Sequence, residues 1–204
     1  LEPAILLLLV ADVVEILDDA ALAVAPVAVA QQPLVELAGQ LARQLFSEVT
    51  RALPRASRES LVDRHYRPHR QAVEADIARL VASGRRVIHV ASHSFTPVLD
   101  GVPRRADVAW LYDPRRPGEV AFARSWMRAV APMAPDLRLR RNYPYRGRGD
   151  GLTAALRRRH PDAAYVGIEL EVNQSLVEQP GPWDRLKAVL VDSLKKALAG
   201  ASHR

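Results

Sequence analysis

The chain has 204 residues, 49% of them hydrophobic, which is enough for one domain with a sizeable core and too few for two ordinary ones. It contains no cysteine, which excludes a disulfide framework, a cysteine nucleophile and any cysteine-based zinc or iron–sulfur site, so a metal would rest on His, Asp and Glu. The formal charge of +6, carried almost wholly by arginine, suits an anionic partner, small or polymeric.

The first apolar run, 5–10 within AILLLLVADVVEIL, has no basic residues ahead of it, and Asp12 and Glu15 follow it closely. A buried strand is expected there, not a signal peptide or a membrane span, and with it a cytoplasmic protein. An Ala/Val-rich run at 23–30 reads as a second strand, and helical patterns follow at 33–52 and 58–83, the latter closed by Gly84. His65 and His69 stand four apart in that helix. With Pro68 between them and no Glu directly after the first, they read as structural and not as a metalloprotease pair.

The strand at 86–92 runs straight into HSFTPVLDG. Alternation puts His89, Ala91 and His93 on one face and Ile88, Val90 and Ser92 on the other. The end of a buried strand gives His93 the rigid placement that a metal ligand needs, although a hydrogen-bonded core histidine has the same pattern. A strand at 107–112, the loop DPRRPG and a helix at 117–131 come next. The loop RNYPYRGRGDGLT then leads into a helix at 150–160, with Asp150 as its N-cap. An Arg- and Gly-rich loop at a helix N-terminus suits a carboxylate or phosphate, but the Lys-Ser/Thr ending of a nucleotide-binding P-loop is missing. The run 157-RRR-159 reads equally well as a solvated surface.

In the strand at 164–172, Val166, Ile168, Leu170 and Val172 share one face, with Glu169, Glu171 and Asn173 on the other. Two carboxylates there are costly unless paired, bound to metal or open to a cleft, and one near a metal can accept a proton from water. A solvated edge strand is the competing reading. The segment PGPWD opens a last helix at 182–199. Alternating strands and helices predict an α/β fold, a mixed and mostly parallel sheet flanked by helices, as a single domain over 1–204 with 1–33 atypical.

The strings HVASHSFTPVLDG, DVAWLYDPRRPGE, RNYPYRGRGDGLTAALRRR and GIELEVNQ, in that order, with LFSEVTRALP and HYRPHRQAVEADI upstream, resemble the N-formylglutamate amidohydrolase family over about residues 34–198. The resemblance implies a zinc-carboxypeptidase-like (phosphorylase/hydrolase-like) fold related to aspartoacylase, in which a strand ends in a zinc-binding histidine. His93 takes that place. It also implies Glu171 as general base, with Glu169 next, and a substrate-binding loop of Arg141, Asn142, Tyr145, Arg146 and Arg148.

The N-terminal part departs from the family pattern. Where Glu-His-Gly-Gly-Asn is expected, Asp12 stands in the place of the histidine with Glu15 three further on, and Ala38-Gly39 replaces Asn-Arg. Two readings follow: an altered metal site of Asp12, Glu15 and His93, harder than a His-rich zinc site, or a degenerate member that has lost its ligands. The implied activity is zinc-dependent cleavage of an N-acyl acidic amino acid such as N-formylglutamate, a reaction of histidine degradation, on a small acidic substrate and with no membrane partner. The alternatives are a non-catalytic carboxylate-binding protein and, less favoured, a nucleic-acid binder using the same arginines.

Overall fold

The computed structural model describes residues 5–9, 53–149 and 151–201, so the runs expected at 23–30 and 33–52, together with Asp12, Glu15 and Asp150, lie outside the described residues. The strands in chain order are β1 (Ile5–Leu9), β2 (Val87–Phe95), β3 (Val98–Leu99), β4 (Val102–Pro103), β5 (Val108–Leu111), β6 (Leu139–Arg141) and β7 (Tyr165–Asn173). The helices are α1 (Arg55–Leu61), α2 (Arg67–Ala82), α3 (Pro117–Val130), α4 (Leu152–Arg159), α5 (Gln174–Val177) and α6 (Pro180–Ala201). A π-helical turn, Val62–Tyr66, joins α1 to α2. It ends just before Pro68, which sits in the first turn of α2.

Five strands make one sheet in the order β1-β2-β7-β5-β6, and β3 and β4 form a separate hairpin. Pairings β1–β2, β2–β7 and β5–β6 are parallel, and β5–β7 is antiparallel, so the sheet is mixed and mostly parallel. With helices on both faces, this is a single α/β domain. Among the described residues, no helix is long and apolar enough to cross a membrane.

One face of the sheet carries Ile88, Val90, Val108, Trp110, Val166, Ile168, Leu170 and Val172, all packed under α3 and α6. Helix α3 contributes Phe122, Ala123, Trp126 and Val130 at helical spacing, and Trp126 meets Trp110 edge to face at 5.7 Å. Leu186, Leu190 and Leu194 of α6 complete this core. On the opposite face a smaller cluster joins Val73, Ile77 and Leu80 of α2 to Val87, Leu156 and Tyr165. Strand β7 is covered on both sides, which is why the sequence reads as one nearly continuous apolar run there.

A buried ion pair completes the pairing of β7. Strand β5 covers β7 only from Glu169 to Val172, which leaves Gly167 without a strand partner on that side. Glu119 accepts the Gly167 N–H at 3.3 Å, and Arg157 donates to the Gly167 carbonyl at 3.0 Å. The two side chains bond each other at 2.9 Å, and Glu119 is fully buried with Arg157 7% exposed. The reading of 157-RRR-159 as a solvated face is therefore corrected for Arg157, which the fold turns inward, while Arg158 is exposed and Arg159 pairs with Glu74. Past the end of β5, Asp113 accepts three N–H bonds from Arg115, which hold its carboxyl down at about 2 from 3.8.

Two outcomes follow for stability. Arg157→Met removes the nearer of the two guanidiniums that pair with the buried Glu119, leaving Arg116 at 3.1 Å, and should lower the unfolding free energy by about 1–3 kcal/mol in urea titrations, whereas Arg157→Met with Glu119→Leu should recover only part of that loss because Arg116 then loses Glu119. The stability that Asp113 contributes is complete above 3.8 and is lost as pH falls through about 2. The difference in unfolding free energy between the wild type and Asp113→Asn, measured from pH 5 to pH 2, should shrink across that window.

Candidate active site

Parallel pairing of β2 with β7 runs over nine residues and sets Ala91 opposite Glu169 and His93 opposite Glu171. Opposed residues share a face, so His93, Glu169 and Glu171 stand on the face away from α3 and α6, at the carboxyl ends of the two strands. On the other side of β7, Ala109 lies opposite Glu171 and Leu111 opposite Glu169.

Glu171 is 5% exposed, and among the described residues its Oε2 has no hydrogen-bond partner. Burial and then the neighbouring Glu169 push its carboxyl up to about 8, against the pull of Arg104. A carboxyl held there exchanges protons near neutrality, as an acid–base group must. Glu169 is half-buried and accepts a hydrogen bond from the Thr153 hydroxyl in the first turn of α4. His93 is half-buried at the strand exit. Deeper on the same face His89 is fully buried, its Nδ1 sharing a 2.7 Å hydrogen bond with the Tyr165 hydroxyl. Burial, with His93, Arg157 and His69 nearby, drives the pKa of His89 down to about 3 and keeps it neutral.

Among the described residues, no three or more His, Asp and Glu side chains converge closely enough to hold a metal ion. An imidazole at the strand exit is a donor that a divalent ion accepts, so His93 fits as part of such a site. The other nominated ligands, Asp12 and Glu15, lie outside the described residues.

The loop after β6 separates into residues that shape it and residues that project from it. Asn142 has φ 50°, and its Oδ1 accepts the N–H groups of Tyr112 at 3.0 Å and Gly147 at 3.1 Å, so it ties the loop to the end of β5. Arg146 and Arg148 are exposed. Arg141 pairs with Trp110, which places it on the face covered by α3, beside Arg124 and Arg128 in a groove of about 520 Å³. The expectation that Arg141 serves the same cleft as His93 is corrected, because the alternation of β6 turns it to the far side of the sheet.

A residue the sequence reading passed over is Arg104. Val98–Leu99 and Val102–Pro103 form a hairpin around Asp100 and Gly101, both at positive φ, the geometry that an Asp-Gly pair favours. The hairpin returns the chain so that the Arg104 N–H donates to the Pro97 carbonyl at 2.8 Å, beside the exit of β2. Its guanidinium lies 5.3 Å from the Tyr145 ring centroid and donates to the Tyr145 hydroxyl at 3.2 Å and to Thr96 Oγ1 at 3.5 Å. The Asp-Gly dipeptide was the signal for it: a tight hairpin there carries the following residues back to the strand end.

Fold and site together define an α/β protein with titratable side chains gathered at the carboxyl ends of paired strands, where ligands of such sheets collect. The chain belongs to the N-formylglutamate amidohydrolase family, whose profile matches residues 18–178. A gene product from Agrobacterium tumefaciens of known crystal structure is similar, with a TM-score of 0.58 and 28% identity over 74% of this chain and 57% of that one. An N-formylglutamate amidohydrolase from Ralstonia eutropha aligns with a TM-score of 0.48 and 19% identity over 70% of this chain and 53% of that one. The chain therefore spans little more than half the length of either structure. A search of curated proteins returned no match.

Gly147 controls the shape of the loop. A Cβ there would lie 2.1 Å from the Tyr112 backbone nitrogen. Gly147→Ala should cost about 1–3 kcal/mol in chemical denaturation as the loop is forced off the end of β5.

Proposed function

We propose that this chain hydrolyses the amide bond of an N-acyl acidic amino acid such as N-formylglutamate, with Glu171 as general base. The observation that carries the reading is the register of β2 and β7, which sets a half-buried histidine opposite a buried carboxylate at the strand ends, on the face away from α3 and α6. Family membership supplies the reaction class.

In this reading water adds to the acyl carbon, Glu171 accepts its proton, and the same carboxyl returns the proton to the departing amine. Formate and glutamate leave from N-formylglutamate, and no redox partner is needed. Glu169, held by Thr153, keeps a second negative charge beside Glu171 and raises its basicity. A divalent ion such as zinc would be held by His93 with Asp12 and Glu15, and when bound would act as a Lewis acid towards the acyl oxygen. Arg146 and Arg148, with Tyr145 and the tether Asn142, form the loop that meets the acidic substrate. The setting would be histidine degradation in the cytoplasm. Against the nucleic-acid reading, Arg138 pairs with Asp107, Arg157 is buried and Arg159 pairs with Glu74, so these three do not join one free basic face.

The test is turnover of N-formylglutamate. Glu171→Gln should lower kcat by about 10²–10⁴-fold while leaving the thermal midpoint and the metal content of the purified protein in place. Unchanged turnover in this variant would remove Glu171 from the mechanism. A wild type that binds N-formylglutamate without cleaving it would be the carboxylate-binding protein instead.

A further inference from the structure

A cationic group that forms no ion pair among the described residues stands beside the candidate acid–base site. Arg104 is half-buried and lies close enough to Glu171 to favour its ionised form, yet among the described residues it makes no ion pair. Its two side-chain hydrogen bonds go to neutral oxygens, those of Tyr145 and Thr96, and both are long at 3.2 and 3.5 Å. Both use Nη1, so most of the five guanidinium donors remain available.

The surroundings hold this guanidinium in place. The Tyr145 ring supports one side of it at 5.3 Å. The backbone beneath is fixed by the Arg104 N–H bond to Pro97, and the Asn173 side-chain amide donates to the Arg104 carbonyl at 3.4 Å. Asn173 ends β7 two residues beyond Glu171, so the hairpin is tied to the strand that carries the candidate base. A planar fork that is already positioned, and that forms no ion pair among the described residues, suits a carboxylate brought by a ligand.

We propose that Arg104 grips a carboxylate of the substrate and is the residue that selects acidic over neutral N-acyl amino acids. The proposal rests on the hydrolytic reading above and assigns its specificity to the β3–β4 hairpin in place of the exposed arginines at 146 and 148. Tyr145 then acts as a positioning residue for Arg104. Lys at position 104 keeps the charge but loses the fork.

The experiment compares N-formylglutamate with its neutral analogue N-formylglutamine in the wild type, Arg104→Gln and Arg104→Lys. Arg104→Gln should raise KM for N-formylglutamate about 10- to 100-fold with little change in kcat, and leave the neutral analogue unaffected, so that the preference disappears. Arg104→Lys should recover only part of it. Calorimetric titration of the same proteins with N-formylglutamate reads binding without turnover. If the wild type cleaves neither compound but Arg104→Gln still weakens binding of the acidic one by the same factor, the hydrolytic reading fails and the assignment of Arg104 stands. If Arg104→Gln keeps the wild-type preference in turnover, or the wild-type affinity in calorimetry, the assignment is overturned. The same holds if it weakens both substrates equally.

Discussion

The pairing of β2 with β7 is the constraint on which the rest of the structure depends. Side chains along a strand alternate, so a slip of one residue in β7 would turn Glu171 towards α3 and α6 and bring Leu170 and Val172 to the opposite face. Such a state would bury a carboxylate among leucines and expose two core residues. The register is held from both sides. Apolar packing under α3 and α6 fixes one face, and Glu119 with Arg157 takes both backbone groups of Gly167 where β5 falls short. Gly167 itself admits no Cβ, because the Tyr165 hydroxyl lies 2.7 Å from where one would stand.

That arrangement also explains how two carboxylates persist on one strand. Glu169 is relieved by the Thr153 hydroxyl and by partial exposure, whereas Glu171 is enclosed and has one oxygen with no partner among the described residues. Its burial favours the neutral form, and the cost of that site is a shifted proton affinity, not a misplaced charge. The strain of a polar group in a sheet interior thus becomes proton-exchange capacity where it is useful. His89 meets the same burial with the opposite result: it stays neutral and serves Tyr165.

Most of the architecture was legible in the chain. The apolar runs at 86–92, 107–112 and 164–172 correspond to β2, β5 and β7 within a few residues, and the helical periods at 58–83, 117–131, 150–160 and 182–199 to α1 with α2, then α3, α4 and α6, because each carries a clear period and a clear stop, whereas the short α5 was not anticipated. The face shared by Glu169 and Glu171 was also readable, since alternation is local. What could not be read were features that depend on distant partners. Strand β6 has three residues and no apolar alternation, and its start is set by Asp107, which accepts from both the backbone and the side chain of Arg138. The face of Arg141 depends on pairing with β5. Arg157 looks like its exposed neighbours until Glu119, 38 residues away, is placed beneath it.

Among the described residues the sheet finishes at β6, which is three residues long and carries Arg140 and Arg141, both exposed. A row of unpaired N–H and C=O groups at a sheet margin invites another strand to add to it, and a long, flat, apolar margin leads to aggregation. Here the margin is too short to template more than a bond or two. Any second copy docking on it would bring its own Arg140 and Arg141 against the first pair, and like charges meeting across a strand gap repel. Among the described residues, basicity at this end of the sheet thus works against edge-to-edge pairing of two copies.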